Sequence, residues 1–175
     1  MSLTPENKKL IVRRALYAVL LVVCAVIQNT PGALPEPFGA RQLGVVIIVV
    51  CIAMCERELC GLFFGLFAGV LLDVTGGTQG INAILLTTFG YFCGLLVNNL
   101  IRNNVFTALL FSSAALLIYE SVHWLVTVVI SGVDGAIGLF FTFYLPSFIY
   151  TIVFVPLLFA IVRFIFKCFP VDVNR

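Results

Sequence analysis

Glu120 and His123 are the residues of this 175-residue chain best placed to do chemistry. They stand three positions apart inside an apolar run, so on a helix they share one face. Ionisable groups within an apolar span are functional candidates by default, because taking them out of water is expensive. A Glu-x-x-His pair is half of a di-iron bundle site, but that site needs a second such pair. The chain has one histidine, which excludes a di-iron centre within a monomer. Two readings stay open for the pair. The favoured one is a buried, hydrogen-bonded polar pair with Tyr119 or Ser121 nearby; the other is a proton relay or a partner contact.

Nucleophilic catalysis finds little support. A serine would need His123 as its base and a third group to orient it. Ser121 is too close in sequence, so only Ser112, Ser113 or Ser147 packed against His123 would make an intramembrane protease. No G-x-S-x-G elbow, P-loop, dinucleotide fingerprint or H-E-x-x-H occurs in the sequence. The six cysteines (Cys24, Cys51, Cys55, Cys60, Cys93, Cys168) form neither C-x-x-C nor a Cys/His cluster, and free thiols behave as small hydrophobes. The sequence therefore reads as a non-enzyme, with no catalytic residue, cofactor or metal expected.

A different pattern runs from Glu58 to Gly94. Gly61, Gly65 and Gly69 recur every four residues and fall on one helical face. In lipid, apolar burial gives no drive to associate, so such a face serves close backbone packing. Gly90 and Gly94 repeat the spacing in the next run, which favours an internal hairpin over a face that docks a second protein. Asp73 ends the first run, and Gly76, Gly77 and Gly80 make a turn. Asp73 either accepts backbone hydrogen bonds from the Thr75-Gly76-Gly77 turn or contacts a partner or ligand; both readings stand.

The elements that must position these residues are membrane helices. The chain is 62% hydrophobic and 10% charged, with mean hydropathy +1.16, far from soluble composition. A net charge of +2 gives no reason to expect nucleic acid. Lys8, Lys9, Arg13 and Arg14 precede the first apolar run as in a signal peptide, but no small-x-small cleavage site follows, so an uncleaved first span is expected. With about 20 apolar residues needed to cross, the candidate spans are 15–30, 43–55, 59–72, 81–101, 105–130 and 146–166. The second and third are short. Glu56-Arg57-Glu58 between them marks a water-facing turn, since each charge costs about 2.5–3.5 kcal/mol in the membrane centre. These two helices would thin the bilayer or be shielded by neighbours. In the region 137–166, Pro146 and Pro156 suggest an interfacial piece and then a helix from about Pro146. The expected fold is thus an all-α integral membrane protein, one compact domain of about six transmembrane helices, or five if the short pair does not cross. With six, nine of the ten basic residues share a side and only Arg41 lies opposite, which puts both termini in the cytoplasm.

The stretch Glu58, Gly61, Gly65, Gly69, Asp73, Gly80, Asn82-Ala83, Gly90-Tyr91 and Gly94 resembles the MreD family of bacterial rod-shape-determining membrane proteins. The match is densest over 41–102, and length and helix count extend it to the whole chain. The resemblance implies a non-enzymatic multi-pass subunit of the elongation complex in the cytoplasmic (inner) membrane. Its implied partners are the bitopic MreC protein, MreB filaments, and the penicillin-binding transpeptidase and glycosyltransferase of wall synthesis. It also implies a fold shared with the substrate-binding components of energy-coupling-factor vitamin transporters, and such a component is the alternative function. Asp73, Thr75, Thr78, Gln79 and Asn82 would then furnish the polar groups of its ligand cavity.

On this reading His123→Ala is tolerated, whereas Gly65→Leu is not, because overpacking a close helix crossing forces the backbones apart. Cell-shape complementation checks both. A fully functional Gly65→Leu protein would mean that the ladder faces lipid, and loss of function in a folded His123→Ala protein would reopen catalysis.

Overall fold

The computed structural model describes residues 5–30, 32, 42–77, 80–99, 104–130, 132 and 136–170. Expectations concerning Arg41, Thr78, Gln79, Arg102 and Arg175 lie outside the described residues. Among those described, regular structure is all helical: α1 Pro5–Asn29, α2 Gly44–Cys55, α3 Glu58–Gly76, α4 Ile81–Asn99 and α5 Val105–Trp124. A π-helical segment, Leu125–Val129, prolongs α5. α6 (Ala136–Leu139), a second π-helical segment (Phe140–Tyr144) and α7 (Leu145–Cys168) run on as one rod. Among the described residues the result is a bundle of six helical rods. Four are long and apolar enough to cross a membrane: Glu6–Asn29, Glu58–Gly76, Val105–Val129 and Ile137–Cys168.

Several helix ends differ from the apolar runs, for local reasons. α1 begins at Pro5, well before the apolar run, because Glu, Lys and Arg are good helix formers and proline suits a first turn. α3 continues through Asp73 to Gly76 and stops where Gly77 turns left-handed at φ 66°. No break occurs at Pro146. The wide π turn just before it, with Leu145 N–H bonded to Phe140 O, leaves room for a ring that lacks a donor and crowds the preceding turn.

α2 is the centre of the bundle. Every residue from Gly44 to Met54 is buried, and α1, α3, α4, α5 and α7 pack around it. A helix apolar on all sides belongs inside. At about 1.5 Å per residue, its 12 residues span only about 18 Å, too short for a hydrocarbon core of roughly 30 Å. Shielding by neighbours removes the mismatch, since α2 is not exposed to lipid. Its first free N–H groups are met from other helices: Thr151 Oγ1 accepts from Leu43 N at 3.1 Å and Gln28 Oε1 from Val45 N at 3.3 Å.

The turn after α2 corrects the expectation of a water-facing triplet. Arg57 is exposed, but Glu56 is only 5% exposed and Arg13 of α1 is fully buried against it. Arg13 Nε lies 2.7 Å from Glu56 Oε1 and Nη2 donates to Oε2 at 3.1 Å. Arg13 Nη1 donates to Phe169 O at 3.0 Å, just past α7, and the guanidinium lies 4.9 Å from the Phe166 ring centroid. The fork of one arginine thus ties together the start of α1, the α2–α3 turn and the end of α7. The two ends of the described chain therefore sit at the same end of the bundle.

Removing one partner of a buried pair strands the other charge, at a cost of about 3–5 kcal/mol. Arg13→Met should accordingly lower the thermal midpoint in detergent sharply, and the double variant Arg13→Met, Glu56→Leu should recover most of the loss. Equal midpoints for Arg13→Met and the wild type would show that the pair is not structural.

Candidate functional site

The site is assembled from the α3–α4 hairpin outward. A Cβ added at Gly61 would lie 2.3 Å from Gly90 O, one at Gly65 would lie 2.2 Å from Leu86 O, and one at Gly69 would lie 2.4 Å from Ala83 Cα. Gly90 meets Gly61 O at 2.1 Å in the same test, and Gly94 meets Glu58 Cα at 2.7 Å. The ladder therefore faces α4 along its whole length, backbone on backbone, and leaves no space for a methyl group. Gly80 stands apart from the ladder: it has φ 85° in the connecting turn, a conformation that L side chains rarely adopt, with open space around it.

That contact sets Asp73 opposite the start of α4. Its two carboxylate oxygens accept from Asn82 N (3.1 Å) and Ala83 N (2.9 Å), the otherwise free donors of the α4 first turn. These two donors are on α4, beyond the Thr75-Gly76-Gly77 turn considered from sequence. Thr75 serves a different bond: its hydroxyl donates to Leu71 O at 2.8 Å and accepts from Asn29 Nδ2 at 2.9 Å.

Asn82, fixed by this cap and buried, presents its side chain to α5. Tyr119 Oη donates to Asn82 Oδ1 at 2.9 Å, and His123 Nε2 lies 2.7 Å from the same oxygen. An amide oxygen only accepts, so Nε2 carries the proton here. The Tyr119 and His123 rings lie 4.6 Å apart, centroid to centroid. The expected Glu120–His123 pairing is replaced by this arrangement: tyrosine and histidine, four apart, reach α4 together, while Glu120 points elsewhere on the helix. Ser121 is exposed. The serines do not form a nucleophile with His123 either. Ser147 donates to Phe143 O at 2.8 Å and Ser113 to Leu110 O at 2.8 Å, while Ser112 precedes His123 by about 16 Å of helix.

These groups line a cavity of about 250 Å³, with walls from α1, α3, α4, α5, both π-helical segments and α7. Asn82, Tyr119, Glu120 and His123 line it, but Asp73 and Thr75 do not. The two π segments face each other across it: Thr127 and Tyr144 hydroxyls are 3.0 Å apart, and Trp124 meets Phe140 edge-on at 5.4 Å. Wide π turns of this kind recur at functional sites. No sequence signal announced them, since their apolar composition is that of ordinary helix. Among the described residues, no group of three or more His, Cys, Asp or Glu side chains is placed to hold a metal ion. The lining offers hydrogen-bonding groups and aromatic faces.

Asn82→Ala would leave a buried tyrosine hydroxyl and an imidazole N–H without their acceptor, at about 1–3 kcal/mol. Thermal unfolding in detergent should show a clear drop for Asn82→Ala and little change for Ser121→Ala. An unchanged Asn82→Ala midpoint would mean that the network does not hold α4 to α5.

Comparison with known proteins places the chain in a family. No curated protein and no solved structure matches the chain. The family model described as rod shape-determining protein MreD matches residues 9–169, from the first turns of α1 to the carbonyl that receives Arg13. The chain belongs to the MreD family, membrane proteins of the rod-shape-determining system.

Proposed function

We propose that this chain is a non-enzymatic, multi-pass subunit of the bacterial elongation complex. In this reading it couples an MreC-like bitopic protein and cytoskeletal MreB to the penicillin-binding transpeptidase and glycosyltransferase that build peptidoglycan. The observation that carries the reading is the family match across residues 9–169. The chemistry of the bundle supports it. Asp73, Arg13, Glu56 and Asn82 engage a helix cap, an ion pair and a hydrogen-bond network, and large apolar side chains such as Phe63 and Ile84 point outward along the helices. Helix surfaces, in contact with lipid and with other membrane helices, are then the working parts.

The same reading puts the protein in the cytoplasmic membrane with both ends inside. Lys8, Lys9, Arg13, Arg14, Arg57, Arg163 and Lys167 lie toward the Arg13–Glu56 end of the bundle, the basic side that the positive-inside rule assigns to the cytoplasm.

Purification from native membrane in mild detergent, followed by mass spectrometry of what accompanies the tagged protein, tests the proposal. The expected companions are a bitopic protein with an extracytoplasmic domain and wall-synthesis enzymes. Paired cytoplasmic ATPases with a long-helix membrane coupler would overturn it in favour of a transporter's substrate-binding component.

A further inference from the structure

Glu120 lines the cavity yet takes no part in the Asn82 network. It is 5% exposed, and its Oε1 has no hydrogen-bond partner among the described residues. A buried carboxyl oxygen without a donor costs more than the bond it lacks, so a native structure that keeps one invites an occupant. The cavity lining offers that oxygen no Lys or Arg. Its His123 neighbour has Nε2 committed to Asn82. No basic side chain of the lining neutralises the carboxyl, so a cationic partner for it has to enter from outside.

The surroundings narrow its chemistry. Tyr119, Phe143 and Tyr144 place aromatic rings around the same space, and ring faces attract cations. A carboxylate and π faces together select a compact positive group, and an oxygen lacking a donor selects one that carries N–H. At about 250 Å³ the space is smaller than the roughly 300–1,000 Å³ of drug-sized pockets, so the group is small. Asn29 and Gly76, at the ends of α1 and α3, also line the cavity, which sets it where those helices finish. Solutes and lipid head groups both reach that level.

We propose that this cavity binds a primary ammonium group, with Glu120 as its counter-ion and hydrogen-bond acceptor. The group comes either from a soluble aliphatic amine or from the aminoethyl head of a membrane lipid.

The full chain, purified in detergent and amine-free phosphate buffer, is titrated with ethylammonium chloride and with tetramethylammonium chloride at constant ionic strength. Thermal unfolding is followed by Trp124, the chain's single tryptophan. A ligand that binds only the folded state raises the midpoint by mass action. Ethylammonium should raise it saturably, with half-saturation about tenfold below that of tetramethylammonium, the factor one charge-assisted hydrogen bond supplies. Glu120→Gln should abolish that preference. Nanodiscs separate the sources. If the lipid head is the occupant, phosphatidylethanolamine stabilises the wild type over phosphatidylcholine and ethylammonium adds nothing further. If a soluble amine is the occupant, ethylammonium stabilises equally in both lipids. Equal response to the two cations, no response to either, or an unchanged preference in Glu120→Gln overturns the proposal. Should Glu120→Gln fail to fold, the wild-type comparison of the two cations decides alone.

Discussion

The contact on which the structure depends is the one between the α3 and α4 backbones. Three glycines of α3 meet Gly90, Leu86 and Ala83 of α4 at distances where a Cβ would strike main-chain atoms. Lipid does not reward apolar burial, so an approach this close gains dispersion contacts that larger residues would prevent. The contact also aligns what lies beyond it. Asp73 is carried past the last ladder glycine to the N-terminus of α4, where it caps Asn82 and Ala83. Asn82 is thereby held in the orientation that Tyr119 and His123 require. A packing feature that runs the length of the hairpin thus sets the polar wall of the cavity at its turn end.

The second constraint is the burial of α2. A helix shorter than the bilayer is acceptable at the centre of a bundle because its neighbours, and not lipid, are its surroundings. Both ends then need polar partners inside protein. Gln28 and Thr151 serve the N-terminal donors, and Arg13 with Glu56 occupies the other end. The ion pair is a costly way to hold three segments together, since desolvation offsets much of its attraction. What it adds is register: a bidentate arginine that also reaches Phe169 O tolerates few arrangements of α1, α7 and the turn between α2 and α3.

The cavity lies where, among the described residues, two helical segments widen into π turns. Leu125–Val129 and Phe140–Tyr144 are both π-helical, and both border the space that Glu120 faces. Each widened turn gives up regular hydrogen bonding, a cost retained where a side chain must be aimed off the ordinary helical face.

The sequence by itself determined the class of protein, the six helical rods and the ladder face. Composition and four-residue spacing are local properties that no tertiary partner can change. It also marked Asp73, Glu120 and His123 as exceptional, because an ionisable group in an apolar run is anomalous wherever it ends up. Tertiary structure alone decided what those groups do. Asp73 caps α4, His123 turns to Asn82 and away from Glu120, and Glu56 leaves the water-facing turn that its charge suggested for a buried arginine. Each outcome depends on which distant residue is brought within about 3 Å, the reach of a hydrogen bond. That distance is set by the packing of whole helices, and nothing in the spacing along a single chain specifies it.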